Sequence, residues 1–289
     1  MRERNARPLA IAAAALAPVN AKTRDPVLRA LPPAGKTALV IEANAIRNSP
    51  LGELLIQCLA RRGDDSFNRF RDEAGIDLLK DLDRVAISDE GVILSGNLEN
   101  FRWGKLREQA ADGLDGPALG RWRDEIIVVA NSGSELSSIL GRLDAPSTSE
   151  PAIPEEATYG EIYGVLAADE LAKLVPHDQP RLGPLRDAVQ RVELHVDARD
   201  DVAIVAQVRG PNPAQLSDLE KAISGLLSAG RLRAQAEGNR ELAELLDLAR
   251  VVPKGARFDL ELALPQQFIE RHLTWCRDER RTEDRRTAR

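Results

Sequence analysis

The chain has 289 residues and 40 basic against 46 acidic side chains, a formal net charge of −6. That length makes one large domain or two ordinary ones. An acidic balance argues against a nucleic-acid binder, and three His with two Cys exclude cysteine-rich scaffolds and most zinc architectures. Only ten aromatic residues are available for stacking platforms or sugar-binding clefts.

Residues 1–21 read as a probable signal peptide. Arg2, Arg4 and Arg7 form a basic front, residues 9–19 an alanine-rich apolar stretch, and Val19-Asn20-Ala21 a small-residue ending. The stretch is too short for a transmembrane span. The expectation is a periplasmic or secreted protein, with an alanine-rich helix or tail on a cytoplasmic protein as the other reading.

Residues 22–36 carry three Pro and read as an extended lead-in. A first α+β unit is expected over residues 37–143. A strand at 37–44 precedes a helix with Ser49 as N-cap and Pro50 at its first position. Leu51, Leu54, Leu55, Cys58 and Leu59 share one face of that helix. A short helical piece stops at Gly75, and strands at 82–89 and 91–97 flank a hairpin turn. Residues 101–111 read as helix, 125–131 as a strand, and 134–143 as a helix with Leu136, Ile139, Leu140 and Leu143 inward. A Pro-rich linker follows at 144–158.

A second unit is expected over residues 159–276 in the same order. Strands are expected at 159–166, 192–197, 202–208 and 258–264. Helices are expected after Asn212, with Leu216, Leu219, Ile223, Leu226 and Leu227 inward, after Asn239, with Leu242, Leu245, Leu246 and Ala249 inward, and after Pro265. The hairpins align as LDRVAISDEGVILSGNL against VQRVELHVDARDDVAIVAQV. The fold expectation is therefore α+β: a tandem pseudo-repeat of a split-βαβ, ferredoxin-like unit, with antiparallel sheets covered by helices on one face. The two sheets can stay apart or merge. Residues 277–289 form a charged tail with six Arg against four acids.

The stretches Arg29-Ala30-Leu31-Pro32, Ile46-Arg47-Asn48-Ser49-Pro50-Leu51, Gly75-Ile76-Asp77 and Lys80-Asp81-Leu82-Asp83-Arg84-Val85 resemble a loose class of uncharacterised bacterial envelope proteins. The resemblance spans about residues 28–275 and implies a signal peptide and a duplicated α+β body. It implies no activity, cofactor or catalytic residue.

The search for chemistry is sparse. No phosphate-binding glycine loop, nucleophile elbow or HExxH motif occurs. His272 and Cys276 stand four apart on the last helix and give two ligands without a third. His195 falls on the polar side of its strand with Glu193 and Asp197, which reads as a solvated face, and His177 falls in a loop. Asp77, Asp81 and Asp83 read as cap and turn residues, and Asp197, Asp200 and Asp201 as an acidic turn without calcium-loop spacing. Cys58 and Cys276 are expected to be unpaired thiols. No catalytic residue, metal ligand or cofactor is assigned. Trp103, Trp122, Tyr159 and Tyr163 are the candidate partner-binding patch, against packing as the plainer explanation. The functional expectation is a non-enzymatic binding or envelope-associated module with an unidentified protein or envelope partner. The alternatives are a hydrolase with a carboxylate site between the units and a cytosolic ligand-sensing module.

Overall fold

The computed structural model describes residues 25–50, 52–54, 56, 71–103, 116–145, 149–174, 188–199 and 201–273. The signal region, Leu55, Cys58, His177, Asp200, Trp275, Cys276 and the tail lie outside them, as does the side chain of His272.

Ten strands form one open antiparallel sheet, with helices packed against it. In chain order the strands are β1 (Ala38–Ile41), β2 (Leu82–Ser88), β3 (Gly91–Gly96), β4 (Ala118–Trp122), β5 (Ile126–Ala130), β6 (Ile162–Ala167), β7 (Arg191–Asp197), β8 (Val202–Arg209), β9 (Ala249–Pro253) and β10 (Arg257–Leu264). Across the sheet they run β4-β5-β3-β2-β1-β6-β7-β8-β10-β9. The seam is the ladder pairing Ala38 with Val165 and Ile41 with Ile162. It joins the two halves into one sheet.

The ferredoxin-like expectation does not hold. A split βαβ unit sets its first two strands parallel with a third between them. Here β1 pairs β2 directly and antiparallel, and β3 lies outside β2. Edge strands β4 and β9 were not expected. Each is five residues long; β4 contains Gly120 and β9 ends on Pro253, so neither shows a strong alternating pattern.

Among the described residues the α-helices are α1 (Pro26–Ala30), α2 (Ala43–Arg47), α3 (Gly133–Asp144), α4 (Ala168–Leu174), α5 (Pro213–Ala236), α6 (Arg240–Leu248) and α7 (Gln266–Leu273). Their starts follow local chemistry. Asp25 caps α1, Ser132 caps α3, Asn212 caps α5 and Asn239 caps α6, each through a side-chain oxygen that accepts backbone N–H groups. Ser49 Oγ accepts from Gly52 N at 3.0 Å, as expected of a cap.

Helices cover both faces, not one. On the front face of the first half, Val40, Ala86, Ile93 and Val128 stand in one row across β1, β2, β3 and β5. They bury against Leu28 of α1, Ile139 and Leu143 of α3, and Ile153. Leu136 and Leu140 pack against the same cluster, completing the expected inward face of α3. Gly120 lies beneath α3, where a Cβ would stand 2.6 Å from Leu136 Cδ1. The back face holds a second cluster of Ala74, Ile76, Leu82, Leu98, Phe101 and Ile127. Residues 101–103 are irregular and not helical.

In the second half the helices move to the back. Val208 and Phe258 are paired across β8 and β10 and bury under Leu216 and Leu219 of α5. Ile269 of α7 packs beside Val202 and Ala198 on the same face. The expected inward face of α5 and α6 holds only in part: Leu226 is 68% exposed and Leu242 41%, while Ala243 is buried. The 24-residue α5 outruns the sheet, so its second half meets α6 instead of the strands. The Pro-rich stretch after α3 is packed, with Ala152, Ile153 and Ala157 buried and Pro33 bridged to Pro151.

A polar network covers the seam on the front face. Arg84 binds Asp25 and, at 2.8–2.9 Å, the Glu42 carboxylate, while Tyr163 Oη donates to Glu42 Oε1 at 2.7 Å. Burial works against the Arg84 charge, and the hydrogen bonds to Asp25 and Glu42 more than reverse it, so its pKa lies above the ordinary value. Burial, then the bond to Glu42, raises the Tyr163 phenol.

Two stability measurements test this packing. Ile139→Ala is expected to lose about 2–5 kcal/mol in urea unfolding, whereas Leu226→Gln changes stability by less than about 0.5 kcal/mol. Arg84→Met strands two carboxylates at the seam, and a loss of about 2 kcal/mol is expected, below the fully buried case because the three side chains remain about a quarter exposed. A change under about 0.5 kcal/mol would show the network to be a surface feature.

Candidate ligand-binding cleft

The cleft on the front face of the second half is bordered by a one-turn 3-10 helix, Glu155–Ala157, and its side chains differ in kind from those of the first half. Three rows cross it. Ala167, Arg191, Arg209 and Arg257 are direct cross-strand neighbours on β6, β7, β8 and β10. The next row is Val165, Glu193, Gln207 and Asp259, and the next Tyr163, His195, Val205 and Glu261. Adjacent strands lie about 4.8 Å apart, so three guanidinium groups share a band about 10 Å wide. Like charges in directly opposed positions repel, and the acid row offsets this. Glu193 receives Arg191 Nη2 at 2.5 Å and Arg209 Nε at 3.2 Å, and Asp259 Oδ1 lies 3.5 Å from Arg257 Nε.

The segment containing Glu150, Pro154, Glu156, Ala157 and Tyr159 stands along this floor and closes a cleft of about 410 Å³. That volume suits a small molecule. Tyr159 is positioned by the turn after it. Gly160 has φ +88, and a Cβ there would stand 2.5 Å from Val196 O. Glu161 then locks the turn: its N donates to Val196 O at 2.8 Å, and its Oε2 accepts from Ala198 N at 2.7 Å.

The Tyr159 ring stacks on His195 with centroids 3.7 Å apart and planes 7° apart. His195 is therefore 3% exposed and Glu193 7%, so the solvated face expected from the sequence is a covered one. His195 Nδ1 lies 3.4 Å from the Tyr159 carbonyl oxygen, which assigns the ring proton to Nδ1 and leaves Nε2 as an acceptor. Nε2 is buried and has no hydrogen-bond partner among the described residues. Burial pushes the imidazole below its ordinary value of 6.5, against the smaller raising effects of the Tyr159 carbonyl and Glu193. Burial raises the Tyr159 phenol, opposed by a hydrogen bond from Gln207 at 3.4 Å.

The four aromatic residues singled out from the sequence do not share a surface. Trp103 packs edge-on to Phe101 at 4.8 Å against the back-face cluster. Trp122 is buried under the front face, donates to Asp144 Oδ1 at 2.8 Å and carries Arg123 over its ring at 4.2 Å. Tyr163 is buried at the seam. Only Tyr159 lines the cleft, where it is 49% exposed. The residues missed by sequence reasoning are Arg191, Arg209 and Arg257. Their signal was present as Arg-x-Glu on β7, Gln-x-Arg on β8 and Arg-x-Asp on β10, visible only once β10 is known to pair with β8. Asp77 behaves as expected, accepting from Leu79 N at 3.0 Å. Among the described residues no cluster of three metal-ligating side chains occurs, and no helix is long and apolar enough to cross a membrane.

No protein-family model matches the chain, and no curated protein matches it. Two solved structures of TP0453 are similar in fold. Crystal form III is 13% identical, covering 82% of this chain and 92% of that one at a TM-score of 0.45. Crystal form I is 13% identical, covering 87% and 97% at 0.43. A likeness of this size transfers no residue and no role.

The lowered His195 pKa fixes a sign for the pH dependence. Below about 6.5 the unfolded chain takes up a proton at this position before the folded one does, so folding stability decreases as the pH is lowered through that window. His195→Phe, which keeps a ring beneath Tyr159, is expected to flatten the fall between about pH 7 and pH 5. Parallel stability–pH curves for the two proteins would show that His195 titrates as it does in the unfolded chain.

Proposed function

We propose that this chain is a non-enzymatic binding module of the bacterial envelope, exported on residues 1–21, whose ligand site is the cleft over β7, β8 and β10. The observation that carries the reading is the arginine row of Arg191, Arg209 and Arg257 beneath a 410 Å³ cleft. Three directly opposed arginines outnumber the two carboxylates, Glu193 and Asp259, that offset them, and the position of the row at the floor of a cleft gives the remaining charge a use. Recognition, not turnover, fits the groups present. The Glu193 carboxylate is held by two arginines, and the one cleft imidazole is covered by a stacked ring. Export rests on the pattern of the first 21 residues alone.

The same reading includes an internal duplication. Outward from the seam the strands run 1-2-3-5-4 on one side and 6-7-8-10-9 on the other. Arg84 and Arg191, aligned in the hairpin sequences, both stand on the front face, one tied to Glu42 and the other to Glu193. On this account one copy lost its front-face cleft to α1 and α3, and the other kept it.

A thermal-shift screen of the full chain against a library of small polar metabolites tests the function. At a ligand concentration about 100 times Kd, stabilisation of about 2.7 kcal/mol is expected. The shift should vanish in the Arg209→Gln/Arg257→Gln double variant, and the ligand should be recovered chemically unchanged. Conversion of the ligand on incubation, or a shift untouched by the double variant, would overturn the reading.

A further inference from the structure

We infer that the cleft binds a small zwitterion, an amino acid or short peptide with a free carboxylate and a free ammonium group. The inference rests on the cleft being the ligand site. It follows from an imbalance of unspent groups on its two walls. On the strand floor, Arg209 and Arg257 meet Glu193 and Asp259 through Nε, at 3.2 and 3.5 Å, and no side-chain hydrogen bond joins either guanidinium to a described group. Their outer guanidinium edges present paired N–H donors in the fork that matches a carboxylate. On the other wall, Glu150 and Glu156 line the cleft with exposed carboxylates and no ion pair or side-chain hydrogen bond among the described residues.

One wall therefore lacks an anion and the other lacks a cation. A simple anion answers the first and is repelled by the second; a simple cation does the reverse. A zwitterion about the length of the cleft answers both. The buried His195 Nε2 supplies an independent pointer: it is an acceptor without a donor at the cleft floor. An ammonium N–H of the ligand completes it. The Tyr159 ring stacks on the same imidazole, so a ligand bound at Nε2 changes the surroundings of Tyr159, which reports on occupancy.

Titration calorimetry and tyrosine-observed NMR on the full chain decide the matter. The probes are the twenty L-amino acids, L-alanyl-L-alanine, sodium acetate and inorganic phosphate, then the N-acetyl and C-amide derivatives of the tightest binder. At least one zwitterion is expected to saturate, to move one of the two tyrosine spin systems, and to lose at least about tenfold in affinity on either N-acetylation or amidation, about 1.4 kcal/mol each. Arg257→Gln should erase the preference for the free carboxylate over the amide. Glu156→Gln should reduce the preference for the free ammonium over the N-acetyl form. Failure of every zwitterion to saturate by about 10 mM, a binding energy under roughly 3 kcal/mol, overturns the inference. So does acetate or phosphate binding as tightly as the best zwitterion. In either case a hit of another class in the thermal-shift screen, lost in the double arginine variant, leaves the cleft as a binding site and removes only the ligand class.

Discussion

The ladder between β1 and β6 is the constraint on which the architecture depends. Its four residue pairs convert two five-strand arrays into one ten-strand sheet. A continuous sheet has two continuous faces, and each residue's face is fixed by strand alternation and register. The row Val40–Tyr163–His195 crosses the seam without a break. On its first-half side the row continues through Ala86, Ile93 and Val128, all small or apolar; on its second-half side it continues through Val205 to Glu261, beside the row of Glu193, Gln207 and Asp259. The seam thus sits where the front face changes from core to site. The Arg84, Asp25, Glu42 and Tyr163 network lies at that boundary, where apolar packing ends and polar groups need partners.

Much of the local structure was legible in the residues. The hairpins β2–β3 and β7–β8, the caps at Ser49, Asn212 and Asn239, and the inward face of α3 follow from turn chemistry and 3.6-residue spacing, which act over short distances. The two unforeseen strands are both sheet edges. An edge strand is paired on one side, so its composition need not carry the signature of a central strand. The merging of the sheets was open from sequence because it depends on a partner about 125 residues away, and no local pattern encodes that pairing.

The cleft was harder to read for the same reason. Arg191, Arg209 and Arg257 are separated by 18 and 48 residues and become neighbours only through two ladders. His195 was correctly placed on the polar side of β7, yet its burial comes from Tyr159, delivered from another segment by the turn at Gly160. Alternation along a strand reports which side a residue faces. It does not report what covers that side.

The different fates of the two front faces follow from the cost of burying charge. Helix α3 seals its half because Ile93, Val128 and Ile126 offer it an apolar floor. A helix laid over this floor would have to desolvate the guanidinium groups of Arg191, Arg209 and Arg257, which are still a third to a half exposed, each at several kcal/mol unless its pairing were complete. Among the described residues the pairing is incomplete, since the guanidinium edges of Arg209 and Arg257 have no side-chain hydrogen bond there. The helices that follow β8 and β10 therefore find their apolar floor on the back, at Val208, Phe258 and Val202. Among the described residues the short segment ending at Tyr159 borders the charged floor, and it brings Glu150 and Glu156, whose charge suits that neighbourhood. The polar rows thus both repel a covering helix and attract an acidic rim. An open, walled cleft is the arrangement that satisfies the two requirements together.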